Sequence, residues 1–178
     1  MELGLIGLGK MGGNMAKRLL LGGHNIVAFD RSAEAVQAAV GEGAIAATSL
    51  GDLVAKLSAS PPRAVWIMVP SGAPTEQTIL DLAAVMQPGD IIIDGGNSNY
   101  KDSIRRAAML KERQLNFVDV GTSGGIWGLT EGYALMIGGN ERPVDHLQPI
   151  FTTLAPAVDR GWGHVGPSGS GHFVKMIH

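Results

Sequence analysis

The sequence predicts an α/β fold: a doubly wound, mostly parallel sheet with an appended αβ extension. Three observations predict it. Short apolar runs alternate with segments of helical periodicity from residue 3 to residue 120, the pattern of a parallel sheet with helices on both faces. Two of the runs, residues 64–69 and 91–94, are apolar without alternation, as in strands buried on both faces. Each of five runs opens into small, polar or glycine residues, at 7–12, 30–32, 69–72, 95–98 and 121–125. In such sheets ligands bind beyond the carboxyl ends of the strands, so five such ends point to one long groove.

The first strand, residues 3–8, runs into Gly7, Gly9 and Gly12 in the spacing G-x-G-x-x-G, and Met15, Ala16, Leu19 and Leu20 follow at helical spacing. Strand, glycine turn and helix is the setting in which this motif binds a dinucleotide. Gly7 allows the tight turn, Gly9 lets the backbone approach a pyrophosphate, and Gly12 lets the helix pack close to the strand. The helix N-terminus adds free N–H groups and partial positive charge. The same letters also suit a plain strand-to-helix turn.

The first helix, residues 12–21, stops at Gly22-Gly23. A second strand, 25–30, ends in Asp30, eighteen positions after Gly12 and near the ~20 expected for an acid that binds an adenosine ribose. Asp30 could instead cap the next helix, a role also open to Ser32. Its charge repels a 2′-phosphate and favours NAD over NADP, whereas the adjacent Arg31 could accept one. Residues 32–40 form a short helix and 44–47 a third strand. Ser49-x-x-Asp52 has capping-box spacing. A turn is expected over 58–62, then the strand 64–69, a helix over 75–86 ended by Pro88-Gly89, the strand 91–94, a polar surface helix over 100–113 and a sixth strand over 116–120. The extension follows, its pieces adding to the sheet with an antiparallel direction open to them: a short strand at 134–137, one helix over 143–154, and an irregular or strand segment at 157–165. The glycine-rich stretch 166–171 opens a helix over 172–178.

Composition limits the classes of function. The 178 residues are 45% hydrophobic and 17% charged, as in a globular domain rather than a disordered chain. A net charge of −2 gives no electrostatic footprint for nucleic acid or an anionic membrane. Without cysteine there is no disulfide, thiolate metal site or thiol nucleophile. No metal site is expected, and a cytoplasmic location is. His172 and His178 bracket Lys175 at three-residue spacing, which places all three along one helix flank. That flank is either a basic surface face or, given its glycine-rich entry, a helix laid against a ligand. Desolvation or neighbouring cations favour a free amine on a lysine, which can then act as a general base.

GLGKMGGNMAKRL, MVP, DGGNS, DVGTSGG and GSGHFVKMIH stand in the order and spacing of the β-hydroxyacid dehydrogenases. DGGNS, TSGGIWG and GHFVKMIH resemble decarboxylating 6-phosphogluconate dehydrogenases in particular, and IWGL-x-x-GY with Asp30 resembles their shorter, NAD-linked branch. The resemblance implies a Rossmann-type fold over residues 1–166, with 167–178 starting the first helix of an all-helical domain that is absent here. It also implies that Gly7, Leu8, Gly9, Lys10, Met11 and Gly12 cradle the pyrophosphate. Asp30, Arg31 and Ser32 would hold the adenosine ribose, and Val69, Pro70 and Ser71 would contact the cofactor. Asn97 would bridge the nicotinamide ribose and the substrate. Ser123, Gly124 and Gly125 would bind the substrate carboxylate, His178 would hydrogen-bond the substrate, and Lys175 would be the catalytic base. The implied cofactor is NAD, with NADP possible, and the implied substrate is 6-phosphogluconate. The full-length protein is expected to be a homo-oligomer through its helical domain.

In the family an Asn follows the His directly and a general-acid Glu soon after. The chain ends before both, so cofactor binding with poor turnover is the expectation. Two alternatives remain: a 3-hydroxyisobutyrate-type dehydrogenase, and a non-catalytic NAD-binding module.

Overall fold

The computed structural model describes residues 1–58 and 61–178. Eight strands form one sheet in the order β3-β2-β1-β4-β5-β6-β7-β8. The strands are β1 (Glu2–Ile6), β2 (Asn25–Phe29), β3 (Ile45–Ala46), β4 (Ala64–Ile67), β5 (Ile91–Asp94), β6 (Asn116–Ser123), β7 (Ala134–Gly138) and β8 (Trp162–Gly166). β1 to β6 pair in parallel, so their carboxyl ends share one edge. The turn expected over 58–62 includes positions outside the described residues.

Two apolar cores lie on opposite faces of the sheet. On one, helices α1 (Lys10–Leu21), α2 (Ala33–Gly41), α7 (Glu141–His146) and α8 (Gln148–Leu154) cover Leu3, Leu5, Ile26, Trp66, Ile93, Val118 and Val120. On the other, α3 (Leu50–Lys56), α4 (Ala73–Val85) and α5 (Tyr100–Glu112) cover Ile6, Val27, Val65, Ile67, Ile92 and Phe117. Neighbouring residues of one strand serve opposite cores, which is why the runs at 64–67 and 91–94 carry no polar alternation. Doubly wound packing is as the alternating pattern predicts.

The caps account for several boundaries. The Ser32 hydroxyl accepts from the Ala35 amide and starts α2; Ser49 does the same for Asp52 at α3, and Asn99 caps α5. Gly22 follows the end of α1. α1 and α9 (Ser170–Ile177) begin about two residues before the predicted positions, because their entry glycines already sit at the N-cap.

Three expectations need correction. β6 runs to Ser123 rather than Val120, because β7 pairs with it antiparallel through Gly121↔Met136, Thr122↔Leu135 and Ser123↔Ala134; the segment 121–125 is therefore half strand. β8 pairs in parallel with β7, so both strands of the extension run antiparallel to β1–β6, the direction the sequence left open to them. The single helix over 143–154 is two, joined at Leu147, because Pro149 lacks the N–H that would continue the first ladder and suits the first turn of a new helix. α5 is not wholly a surface helix: Ser103, Arg106 and Leu110 are buried on it.

After a 3₁₀ turn at Gly125–Trp127 and the short α6 (Gly128–Glu131), Arg18 ties the extension back to α1. Its guanidinium donates to the carbonyls of Leu129, Thr153 and Ala155 at 3.0, 2.9 and 2.8 Å. α9 packs across β6, β7 and β8 and against α5. No described helix is long and apolar enough to cross a membrane.

Candidate active site along the carboxyl edge

The glycine loop has the shape its spacing predicts. Gly7 has φ +95°, a conformation that a side chain would strain. A methyl on Gly12 would collide with the Gly7 carbonyl oxygen, whereas one on Gly9 would meet nothing within 4 Å. Gly9 caps α1 without a side-chain acceptor, and the first turn holds no acid. The Gly13 amide is bonded to the Gly9 carbonyl. A helix start with unclaimed N–H groups and an open approach fits an anionic pyrophosphate. Leu8 is buried, Lys10 is exposed and Met11 half-buried beside this opening.

Asp30 does not cap α2; Ser32 does. The Asp30 carboxylate accepts from the Leu8 amide at 2.6 Å and from the Ser32 amide at 2.8 Å. It therefore fastens the glycine loop to the end of β2 while keeping lone pairs for a ribose hydroxyl. Arg31 and Ser32 are exposed next to it. A cleft of about 470 Å³ adjoins the loop, lined by Leu8, Gly9, Lys10, Ala35, Ala39 and Leu129 among others. It lies between α1 and α2 and does not reach Asn97, Ser123 or Lys175.

Val69 is half-buried, and Pro70 and Ser71 are exposed beyond β4. Beyond β5, Asn97 is exposed in the 95–98 loop. That loop is held by a buried ion network invisible in the local sequence. Asp94 is fully buried and accepts from the Gly96 amide and the Ser98 hydroxyl. Arg106, 1% exposed, reaches Asp94 at 3.5 Å, Ser98 at 3.4 Å and Glu76 at 2.8 Å. Arg105 also chelates Glu76. The hydrogen bonds from Arg105, followed by those from Arg106, hold the Glu76 carboxyl down to about 2 against the opposing effect of burial.

Ser123 and Gly124 are half-buried, and Gly125 is exposed at the end of β6. Tyr133 packs beneath them. A methyl on Gly124 would lie 2.6 Å from its ring, and burial pushes the phenol pKa up. Lys175 is half-buried on α9, and its stem crosses β6 at Gly121, where a methyl would lie 2.5 Å from the lysine Cβ. Lys175 thus lies over the strand that ends in Ser123. α9 also meets α5, whose first turn follows Asn97: the Tyr100 and Phe173 rings stack edge to face at 5.0 Å.

The helix flank of His172, Lys175 and His178 is not a basic surface face. His172 is 2% exposed, and its Nδ1 lies 2.6 Å from the Ser103 hydroxyl. His178, by contrast, is exposed. Among the described residues no three His, Cys, Asp or Glu side chains come together as a metal site would require.

Comparison with known proteins identifies the family and the fold. A family model described as the NAD binding domain of 6-phosphogluconate dehydrogenase matches residues 2–163. An NAD(+)-dependent, decarboxylating 6-phosphogluconate dehydrogenase of Haloferax volcanii is 46% identical over 178 residues, covering 100% of this chain and 58% of the relative. A decarboxylating 6-phosphogluconate dehydrogenase of Saccharomyces cerevisiae is 39% identical over 186 residues, covering 99% of this chain and 37% of the relative. The chain therefore spans little more than half the length of the shorter of these relatives. Among solved structures, 6-phosphogluconate dehydrogenase of Plasmodium falciparum, studied with NADP+ and with 6-phosphogluconate, overlays with a TM-score of 0.91 at 30% identity over 100% of this chain and 39% of its own. A 3-hydroxyisobutyrate dehydrogenase of Mycobacterium tuberculosis overlays with a TM-score of 0.88 at 25% identity over 99% of this chain and 58% of its own.

Proposed function

We propose, for a chain that belongs to the family of 6-phosphogluconate dehydrogenase NAD-binding domains, that it carries the cofactor groove and the base of an NAD-linked, decarboxylating 6-phosphogluconate dehydrogenase. The overall reaction converts 6-phosphogluconate to ribulose 5-phosphate and CO2. The observation that carries this reading is the placement of Lys175 across Gly121, on the strand that ends in Ser123.

Bound NAD supplies the hydride acceptor. The chain's own residues do the rest. The amides of the glycine loop and of the first α1 turn bind the pyrophosphate, and Asp30 takes the adenosine ribose. Asn97, presented by the Asp94–Arg106 network, orients the sugar acid next to the nicotinamide. Ser123, Gly124 and Gly125 hold its carboxylate, and His178 donates to a substrate oxygen. The free amine of Lys175 takes the proton of the C3 hydroxyl as C3 is oxidised. The resulting ketone lies beta to the carboxylate and accepts the electron pair as CO2 leaves. The Lys175 ammonium then stabilises the enolate oxygen, so one side chain serves both steps.

Hydride transfer and isotope exchange at the nicotinamide, measured with 6-phosphogluconate on the full-length protein and on its Lys175→Ala variant, test the reading. A loss of about a hundredfold or more is expected, with NAD affinity retained; a variant equal to native removes Lys175 from the chemistry. The overlay with 3-hydroxyisobutyrate dehydrogenases makes oxidation of a smaller hydroxyacid the second reading. A panel of the two acids decides between them.

A further inference from the structure

α9 has no capping side chain of its own; its N-cap is Gly169. The cap comes instead from β6. Asp119 is fully buried four residues before Ser123, and both of its oxygens accept from the first turn of the helix. Gly169 N–H donates to Oδ1 at 2.7 Å, and His172 N–H donates to Oδ2 at 3.0 Å. A carboxylate at a helix N-terminus is favoured both by its charge and by the strength of charge-assisted hydrogen bonds.

The helix is also seated without spacing side chains. A methyl on Gly171 would run into the carbonyl oxygens of Met136 and Asp119, and one on Gly121 would meet the stem of Lys175 and, at 2.9 Å, the Gly171 carbonyl. The backbone of α9 therefore rests directly on β6 and β7. On the α5 side, His172 is fixed by Ser103.

We propose that Asp119 is a positioning residue for Lys175. By clamping the start of α9 onto β6, it sets the distance between the lysine amine and the 123–125 loop that the same strand carries. The proposal rests on the reading of Lys175 as the base. Asp119 touches no substrate; it acts through the backbone of α9. One strand holds both the base's helix and the anion loop, so the two reacting partners keep their separation as a single rigid unit. That matters because a misplacement of about 1 Å can cost roughly a hundredfold in rate.

The test uses the 178-residue chain with Asp119→Asn, which keeps the shape but turns one accepting oxygen into an amide that faces an N–H. Three quantities are measured: hydrogen exchange over residues 167–178, the pH profile of Lys175 acetylation in competitive labelling with acetic anhydride, and NAD affinity. Exchange at Gly169 and His172 is expected to speed up by about tenfold or more. The Lys175 profile is expected to shift while those of Lys10, Lys17 and Lys111 stay in place, with NAD affinity held within about twofold. A purely stabilising role would free the amides and leave the Lys175 profile unmoved, and that result overturns the proposal; so does unchanged exchange. Should Asp119→Asn fail to fold, Asp119→Glu decides, because it keeps both accepting oxygens and lengthens the clamp by one methylene. A native Lys175 profile in that variant overturns the proposal. Native hydride transfer in Lys175→Ala ends the base reading and leaves the labelling result standing, so the two failures are separable.

Discussion

Glu76 takes two guanidinium groups on one carboxylate, and this has a pH signature. Its folded value of about 2 lies below the ordinary 4.5, so the stabilisation is complete above about 4.5 and is lost as pH falls from there through about 2. Melting temperature followed by circular dichroism should decline across that window, and Glu76→Gln should flatten the decline. A variant with the native slope would place the acid sensitivity elsewhere. The pairing itself could not be read from the sequence. Glu76 and Arg106 stand thirty residues apart, Asp119 and His172 fifty-three, and Ser103 and His172 sixty-nine; such contacts exist only once the sheet has brought distant strand ends and helices together. The glycine loop and Asp30 were readable because the motif they form is defined by spacing along the chain. Even there the structure adds something: the Asp30 carboxylate also holds the Leu8 amide.

Among the elements, the parallel strands and the helices between them were legible from apolar runs, caps and glycine stops. The extension was less so. No local signal says that β6 continues past Val120, because its last three residues are fixed by β7, which lies beyond a glycine-rich turn. Periodicity through 143–154 survives the break at Leu147, so one helix and two present the same apolar face, and only Pro149 hints at the division. The extension is bolted to the nucleotide half by Arg18, which donates to three carbonyls on two elements. Arg18→Ala leaves those acceptors without their charged donor and should lower stability by about 2 kcal/mol, read from urea denaturation. NAD affinity should stay within about twofold, because the guanidinium's three acceptors all lie in the extension; a tenfold loss of affinity would mean that α1 itself had moved.

At the scale of the whole molecule, six strands deliver their carboxyl ends to one edge, the edge along which the proposed cofactor would lie. In the proposed reading Asp30 lies beside the adenosine ribose, where its charge would oppose a 2′-phosphate, with Arg31 exposed beside it. Asp30→Asn should narrow the preference for NAD over NADP, measured as the thermal shift each cofactor gives. At a hundredfold excess over Kd, a bound cofactor adds about 2.7 kcal/mol, a shift large enough to rank the two. An unchanged ranking would mean that selectivity resides outside Asp30. The reversal of direction between β6 and β7 has a consequence for reach. β7 and β8 turn their carboxyl ends to the opposite rim, so the row of open strand ends stops at Ser123 as a bench stops at a wall. In the proposed reading, a dinucleotide laid from β2 toward that wall would have its length measured for it, its far end arriving under the helix that bears the amine.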